Sequence, residues 1–256
     1  PKKTTAIITG KTGIASSHGE RNIDNSRWLY YRFSPMLLPR HLLAIGALCL
    51  LAILPACTEK LAKRTGLTAQ DLFSRGQQRS AARKFGDASE AFQVLLERFP
   101  NSPLAAKAQL GLAEARMENK EDIEAEVAYD DFIRLYPADD NIPYALYRKG
   151  EVLARQVPDP GRDQSKTLEA VKAFTLAREK SPKGPYAEKA AGKIGLLRNR
   201  LAEHENRVAS HYLRRKHYGS AEARARRALS DYPDTAATPS LMSILATAME
   251  KQGKKP

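Results

Sequence analysis

A chain of 256 residues with 42% hydrophobic residues can build a substantial core, and its formal charge of +13 is unevenly spread. Residues 136–256 hold 23 Lys and Arg against 14 Asp and Glu, whereas residues 58–135 balance at 12 against 13. Both cysteines, Cys49 and Cys57, lie in one apolar run, which excludes an internal disulfide, a redox pair or a cysteine nucleophile from everything beyond it.

Residues 1–35 are polar, mixed and without period, and they hold the lone tryptophan, Trp28. They are read as an unstructured extension or a mis-called start, with Met36 as the expected beginning. Residues 36–56 then read as an export signal. Arg40 gives the positive flank, and Leu42 to Cys57 is an apolar run of signal-peptide length, short of the roughly 20 residues a membrane span needs. The run ends in Leu54-Pro55-Ala56-Cys57, which resembles the lipobox of bacterial lipoproteins. The resemblance implies acylation of Cys57 and a membrane held through that lipid, with more than one chain for stable anchoring. An exported chain does not meet nucleic acid, so the basic half is expected to face acidic protein or anionic lipid instead.

Residues 57–67 form a polar tether. Thr58 follows the cysteine where an aspartate would favour inner-membrane retention, so the resemblance implies the outer membrane, on its periplasmic face. From Thr68 onward apolar and alanine residues recur at three- and four-residue spacing, with no strand alternation, so an all-α fold is expected. Four alike breakers, around Pro100, Pro137, Pro182 and Pro233, are spaced 37, 45 and 51 residues apart. That is a period of about 34 residues with insertions, the signature of a tetratricopeptide-repeat solenoid. Four to five helix pairs are expected, grouped as N-terminal units over 68–182 and C-terminal units over 183–252.

Each such repeat needs a small residue where its helices cross and an aromatic in its second helix. Gly76, Ala88 and Phe92 take those places in the first unit, Ala113, Ala125 and Tyr129 in the second, and Gly150, Ala170 and Phe174 in the third. The third carries an insertion at Pro158 to Asp163. The fourth is read on Ala209, Gly219, Ala223 and Ala228, without an aromatic. No strong breaker interrupts Pro185 to Lys216, so one long helix is expected there.

Several stretches together carry a wider resemblance. They are Phe132-Ile133-Arg134-Leu135-Tyr136-Pro137, Asn141-Ile142-Pro143-Tyr144-Ala145-Leu146-Tyr147-Arg148-Lys149-Gly150, Leu197 to Glu205, and Asp231-Tyr232-Pro233-Asp234-Thr235-Ala236-Ala237-Thr238. With the lipobox and the repeat order, residues 57–250 resemble the BamD family of outer-membrane assembly lipoproteins. The resemblance implies a scaffold of the β-barrel assembly machinery. Its N-terminal repeats receive unfolded outer-membrane proteins; its C-terminal repeats dock a BamA-like barrel subunit, beside other assembly lipoproteins. A different repeat lipoprotein, one coordinating cell-wall synthesis, is the alternative.

The first helices of stacked repeats line a groove that takes an extended or helical peptide. Counting from the small residues, its face is expected to carry Phe73 and Gln77, then Leu110, Glu114 and Met117, then Tyr144, Tyr147, Glu151 and Arg155. Outer-membrane proteins typically end in an aromatic with a free carboxylate, which Phe73, Leu110, Tyr144 and Tyr147 beside Arg155 suit. Arg214, Arg215, Arg224 and Arg227 are the candidates for docking an acidic partner. No catalytic motif is found, and no cofactor is expected beyond the lipid on Cys57. His204 and His211 are seven apart, about 10 Å along a helix, too far to share a metal.

Overall fold

A computed structural model describes residues 66–255. Cys57, the export signal and most of the tether lie outside the described residues. Within them the chain is helix after helix: α1 (Ala69–Ala81), α2 (Phe85–Arg98), α3 (Ala105–Glu118), α4 (Asp122–Leu135), α5 (Ile142–Arg155), α6 (Ser165–Lys180), α7 (Ala187–Arg214), α8 (Tyr218–Asp231) and α9 (Thr238–Glu250). Each packs on the next, as expected for a tetratricopeptide solenoid: four pairs and a last helix without a mate among the described residues.

The boundaries follow from local chemistry. Thr68 caps α1 and Asp71 caps it back: Asp71 N–H donates to the threonine hydroxyl at 3.2 Å, and Thr68 N–H donates to the carboxylate at 2.9 Å. The Thr68 hydroxyl also donates to that carboxylate at 2.7 Å, and this bond first, then the one from Thr68 N–H, holds the Asp71 carboxyl below its ordinary pKa. The second helix of every pair ends on a residue before proline: Phe99, Tyr136, Ser181 and Tyr232, all at φ between −126° and −147°. The proline ring disfavours α backbone in its predecessor, so these residue–proline pairs, three of them aromatic and the fourth Ser181-Pro182, stop the helices.

Three of the four hairpins share one turn, closed by Arg83, Lys120 and Lys216 at φ +57°, +63° and +61°. In each, two backbone bonds recapture the helix-end carbonyls, as Arg83 N–H to Ser80 O and Lys84 N–H to Arg79 O, both at 2.9 Å. Glycine usually takes this left-handed position, so the sequence concealed these turns. The remaining hairpin, α5–α6, carries the insertion.

The interior has two parts. The larger runs from Leu72 to Leu197 and is keyed by rings set on small residues. Phe92 lies against both Gly76 and Gly111, and Phe174 against Gly150; a β-carbon on Gly76 would come within 2.5 Å of the Phe92 ring. Tyr129 and Phe132 are wholly buried between them. The smaller part joins the end of α7 to α8 and α9 through Ala209, Ala221, Ala225, Ala228, Leu241, Ile244 and Ala248. Here the fourth-unit register differs from expectation. Gly219 and Ala223 are exposed, while Ala221 and Ala225 are buried. The reason is that Ala225 stands 16 residues after Ala209, as Phe92 does after Gly76, and an alanine there leaves no ring to mark the place. Helix α7, at 28 residues, is long enough to belong to both parts.

Candidate functional site

Helices α1 and α3 diverge just enough to leave a cleft of about 380 Å³ between them, closed at one end by the α4–α5 turn. Phe73 and Gln77 come from α1, Leu110, Lys107 and Glu114 from α3, and Asn141 from the turn. The floor is the Phe92 ring, 5.8 Å from that of Phe73. Phe73, Gln77, Leu110 and Glu114 were expected on this face, and the structure brings the four together. Gly76 and Gly111 explain why: lacking side chains, they let the Phe92 ring rise to the cleft floor.

The other expected groove residues are placed differently. Tyr144 is half-buried next to the cleft, its hydroxyl donating to Glu114 at 2.7 Å and its ring 5.3 Å from that of Tyr186. Met117 is buried, 1% exposed, and accepts the Tyr129 hydroxyl at 3.8 Å. It lies in the core, because α3 is covered by neighbours on both flanks and buries residues around most of its girth. Tyr147 is buried against Phe174 and Tyr186. Arg155 turns away from the aromatics: its guanidinium donates to Met117 O at 2.9 Å and meets Asp122 at 3.3 Å, bracing the α3–α4 turn. The cation at the cleft is Lys107, which periodicity did not single out.

Behind the cleft lies a polar network. Arg148 bridges Glu118 at 2.8 Å and Glu151 at 3.0 Å, and Glu151 also accepts the Tyr147 hydroxyl at 3.3 Å. Burial, and then Glu114, push the Tyr144 phenol above its ordinary range; burial does the same to Tyr129. Both phenols therefore keep their protons and serve as donors that fix α3, α4 and α5 in register.

At the far end, Arg214 and Arg215 are exposed at the close of α7 and have no carboxylate partner among the described residues. Arg224 is paired with Glu205 at 3.2 Å, and Arg227 with Asp231 at 3.4 Å. The expected basic patch thus divides into two free and two paired cations. His204 donates from Nδ1 to the Pro160 carbonyl at 2.7 Å, while His211 and His217 stand edge-on to the Tyr212 ring. Among the described residues no three metal-ligating side chains gather, and no helix is long and apolar enough to cross a membrane.

Comparison with known proteins bears on this geometry. The family model described as "YfiO: Outer membrane lipoprotein" matches residues 66–256. The chain is 29% identical over 195 residues to the outer membrane protein assembly factor BamD of Neisseria meningitidis serogroup A, covering 72% of this chain and 73% of that protein. It is 28% identical over 229 residues to the BamD of Xylella fastidiosa, covering 85% and 78%. Among solved structures, the TPR2AB domain of yeast Sti1 aligns over 72% of this chain and 70% of its own at 16% identity, with a TM-score of 0.44.

Proposed function

We infer the function from one premise: this chain belongs to the YfiO family of outer membrane lipoproteins. On that premise we propose a non-enzymatic scaffold in outer-membrane protein assembly, anchored by lipid on Cys57 at the periplasmic face. Its N-terminal repeats hold the ends of unfolded outer-membrane proteins, and its C-terminal repeats dock a BamA-like barrel subunit beside other assembly lipoproteins. The names of the relatives in Neisseria and Xylella support the assembly role.

The α1–α3 cleft is the observation that carries the substrate part. At about 380 Å³ it sits at the small end of known ligand pockets and suits a side chain or two of a peptide. Its walls set Phe73 and Leu110 beside the amide of Gln77, the ammonium of Lys107 and the carboxylates of Glu114 and Asp139, the first of which is taken up by the Tyr144 hydroxyl. An aromatic residue fits the rings, and a terminal carboxylate suits Lys107, where the sequence had suggested Arg155. Nothing in the cleft need move a proton or break a bond for this task.

A photo-crosslinking residue in place of Phe73 or Leu110 tests the reading. Crosslinks to newly made barrel proteins are expected there and not from Val127 on the outer face of α4. Capture of a peptidoglycan synthase instead, with normal barrel assembly on depletion, overturns it. Labelled palmitate should enter the protein and should fail to enter the Cys57→Ser variant.

A further inference from the structure

Among the side chains lining the α1–α3 cleft, Lys107, Glu114 and Asp139 carry charge. Lys107, Leu110 and Glu114 stand at i, i+3 and i+7 on α3, so one helical face sets an ammonium, an apolar seat and a carboxylate within about 10 Å. Extended toward each other, the lysine and glutamate side chains span that distance, and the pair then closes over the seat. In the structure they stay apart. Glu114 is held from α5 instead, where the Tyr144 hydroxyl donates to its Oε1 at 2.7 Å. Asp139 is likewise engaged: its Oδ1 accepts the backbone N–H of Asn141 at 2.8 Å and the side-chain amide of Asn141 at 2.9 Å. Lys107 is exposed and has no hydrogen-bond or ion-pair partner among the described residues.

Tyr144 is itself firmly placed. Its ring lies 5.3 Å from that of Tyr186, which in turn lies 5.2 Å from that of Tyr147. Burial, and then Glu114, keep the proton on its hydroxyl, so it remains a donor. Arg148, one turn further along α5, is not free to take its place: its two terminal nitrogens hold Glu118 at 2.8 Å and Glu151 at 3.0 Å. The cleft thus has two engaged carboxylates and one open ammonium, and a single phenol maintains the difference.

We propose that Tyr144 sets the preference of the cleft for a terminal carboxylate, acting through Glu114. By tying Glu114 to α5 it keeps that carboxylate off Lys107, and the ammonium is left for an anion arriving beside Phe73 and Leu110. Without the hydroxyl, Glu114 turns toward Lys107, competes for it and repels a second carboxylate at short range. Tyr144 is therefore a positioning residue, touching Glu114 and not the ligand. The inference rests on the reading that this cleft holds the ends of unfolded outer-membrane proteins. It adds the residue that makes the site favour a free chain end over a blocked end or a continuing chain.

The probes are fluorescein-labelled Gly-Ser-Thr-Ser-Phe with a free carboxylate and the same peptide as its carboxamide, followed by anisotropy with the full-length protein in detergent. The wild-type protein should bind the acid about tenfold more tightly, for one contact to a charged group. In Tyr144→Phe, which keeps the ring on Tyr186, that preference should fall to about twofold or less, with the carboxamide bound as before. Glu114→Gln in the Tyr144→Phe background should restore the preference, because a neutral amide neither repels the ligand nor pairs with Lys107 as an ion. Glu114→Gln alone should keep it, and Lys107→Met should abolish it in every background. The rescue is a readout that a merely structural role of Tyr144 would not give, and circular dichroism checks that each variant stays folded. If the wild-type protein binds neither peptide, or binds both alike, the substrate reading of the cleft fails and this inference with it. If the wild type prefers the acid, three results overturn this inference alone: an undiminished preference in Tyr144→Phe, no restoration by Glu114→Gln, or a preference that survives Lys107→Met.

Discussion

The first three repeats and the last use one backbone plan with opposite cores. At the crossing of each early pair a ring closes on a small residue: Phe92 on Gly76, Phe174 on Gly150, with Tyr129 in the corresponding place. In the last pair the same positions hold Ala209 and Ala225, and the buried set there is chiefly alanine with Leu241 and Ile244. Polar ties do much of the holding instead. Arg224 meets Glu205, Asn199 accepts the Ala236 N–H at 2.9 Å, and Ser240 donates to Asn206 at 2.9 Å. Apolar burial resists local opening more than exposed ion pairs do, since the latter contribute only about 0–1 kcal/mol each. The contrast therefore teaches that the array is firm where the α1–α3 cleft is built on its aromatic floor and looser through the last pair, α7 and α8, and α9.

The contrast breaks most sharply at Phe92. Its ring touches two glycines on two different helices, so Phe92→Ala is expected to cost about 3–5 kcal/mol and to weaken the joint between the first two repeats. Truncating the corresponding residue of the last pair, Ala225→Gly, should cost about 1 kcal/mol, chiefly helix propensity. Urea unfolding of both variants measures the difference; equal losses would mean that the two cores are energetically alike.

The glycines sharpen it next. Gly76→Ala sets a methyl group 2.5 Å from the Phe92 ring, so a loss of about 1–3 kcal/mol is expected as the ring is displaced. Gly195, on the exposed side of α7, has nothing within 4 Å of an added β-carbon, and Gly195→Ala should stabilise by about 0.4–1 kcal/mol through the unfolded chain. Opposite shifts in melting temperature for two identical substitutions are the readout. The Gly76 variant should also lose its crosslink at Phe73, since the cleft floor moves with the ring.

How much of this was legible depends on where side chains carry a pattern. The repeats could be read because proline fixes the residue before it, and Phe99-Pro100, Tyr136-Pro137 and Tyr232-Pro233 end their helices alike. The first three crossings could be read because a ring sixteen to twenty-four residues after a small residue leaves a visible mark. The fourth could not, since alanine marks nothing among alanines. Phe73, Gln77, Leu110 and Glu114 were legible as neighbours of the small residues Gly76 and Ala113 on their helices. Met117 was misplaced because periodicity assumes one buried face and α3 has nearly two. Arg155 was misplaced because a long side chain goes where carbonyls and carboxylates are, which helical spacing does not record.

At the start of the array, where the firm half begins, Thr68→Ala removes the hydroxyl that caps α1 and should cost about 1 kcal/mol. Because α1 supplies Phe73 and Gln77, fraying should appear first as faster hydrogen exchange around the cleft, with the C-terminal helices unaffected. Fraying that spread evenly through the array would argue against separate firm and loose halves.

The smallest effect on overall stability is expected at Glu222, yet it reports most directly on the loose half. Its carboxylate, on α8 and only 11% exposed, gathers Lys254 at 2.8 Å, Arg226 at 3.0 Å and the Gln252 amide at 2.9 Å, and so pins the end of α9 to its neighbour. Lys254 first, then Gln252, hold the carboxyl below its ordinary range. A depressed carboxylate binds fewer protons folded than unfolded. Its stabilisation is therefore full above the usual glutamate range and is lost as pH falls through and below it. Exchange at the amides of α9 should accelerate in acid well before the rings of the first three repeats loosen. Glu222→Gln should bring that acceleration to neutral pH while leaving the main urea transition in place. If α9 and α3 instead opened together at every pH, the pin would have no separate hold on the last helix, and the two halves would unfold as one.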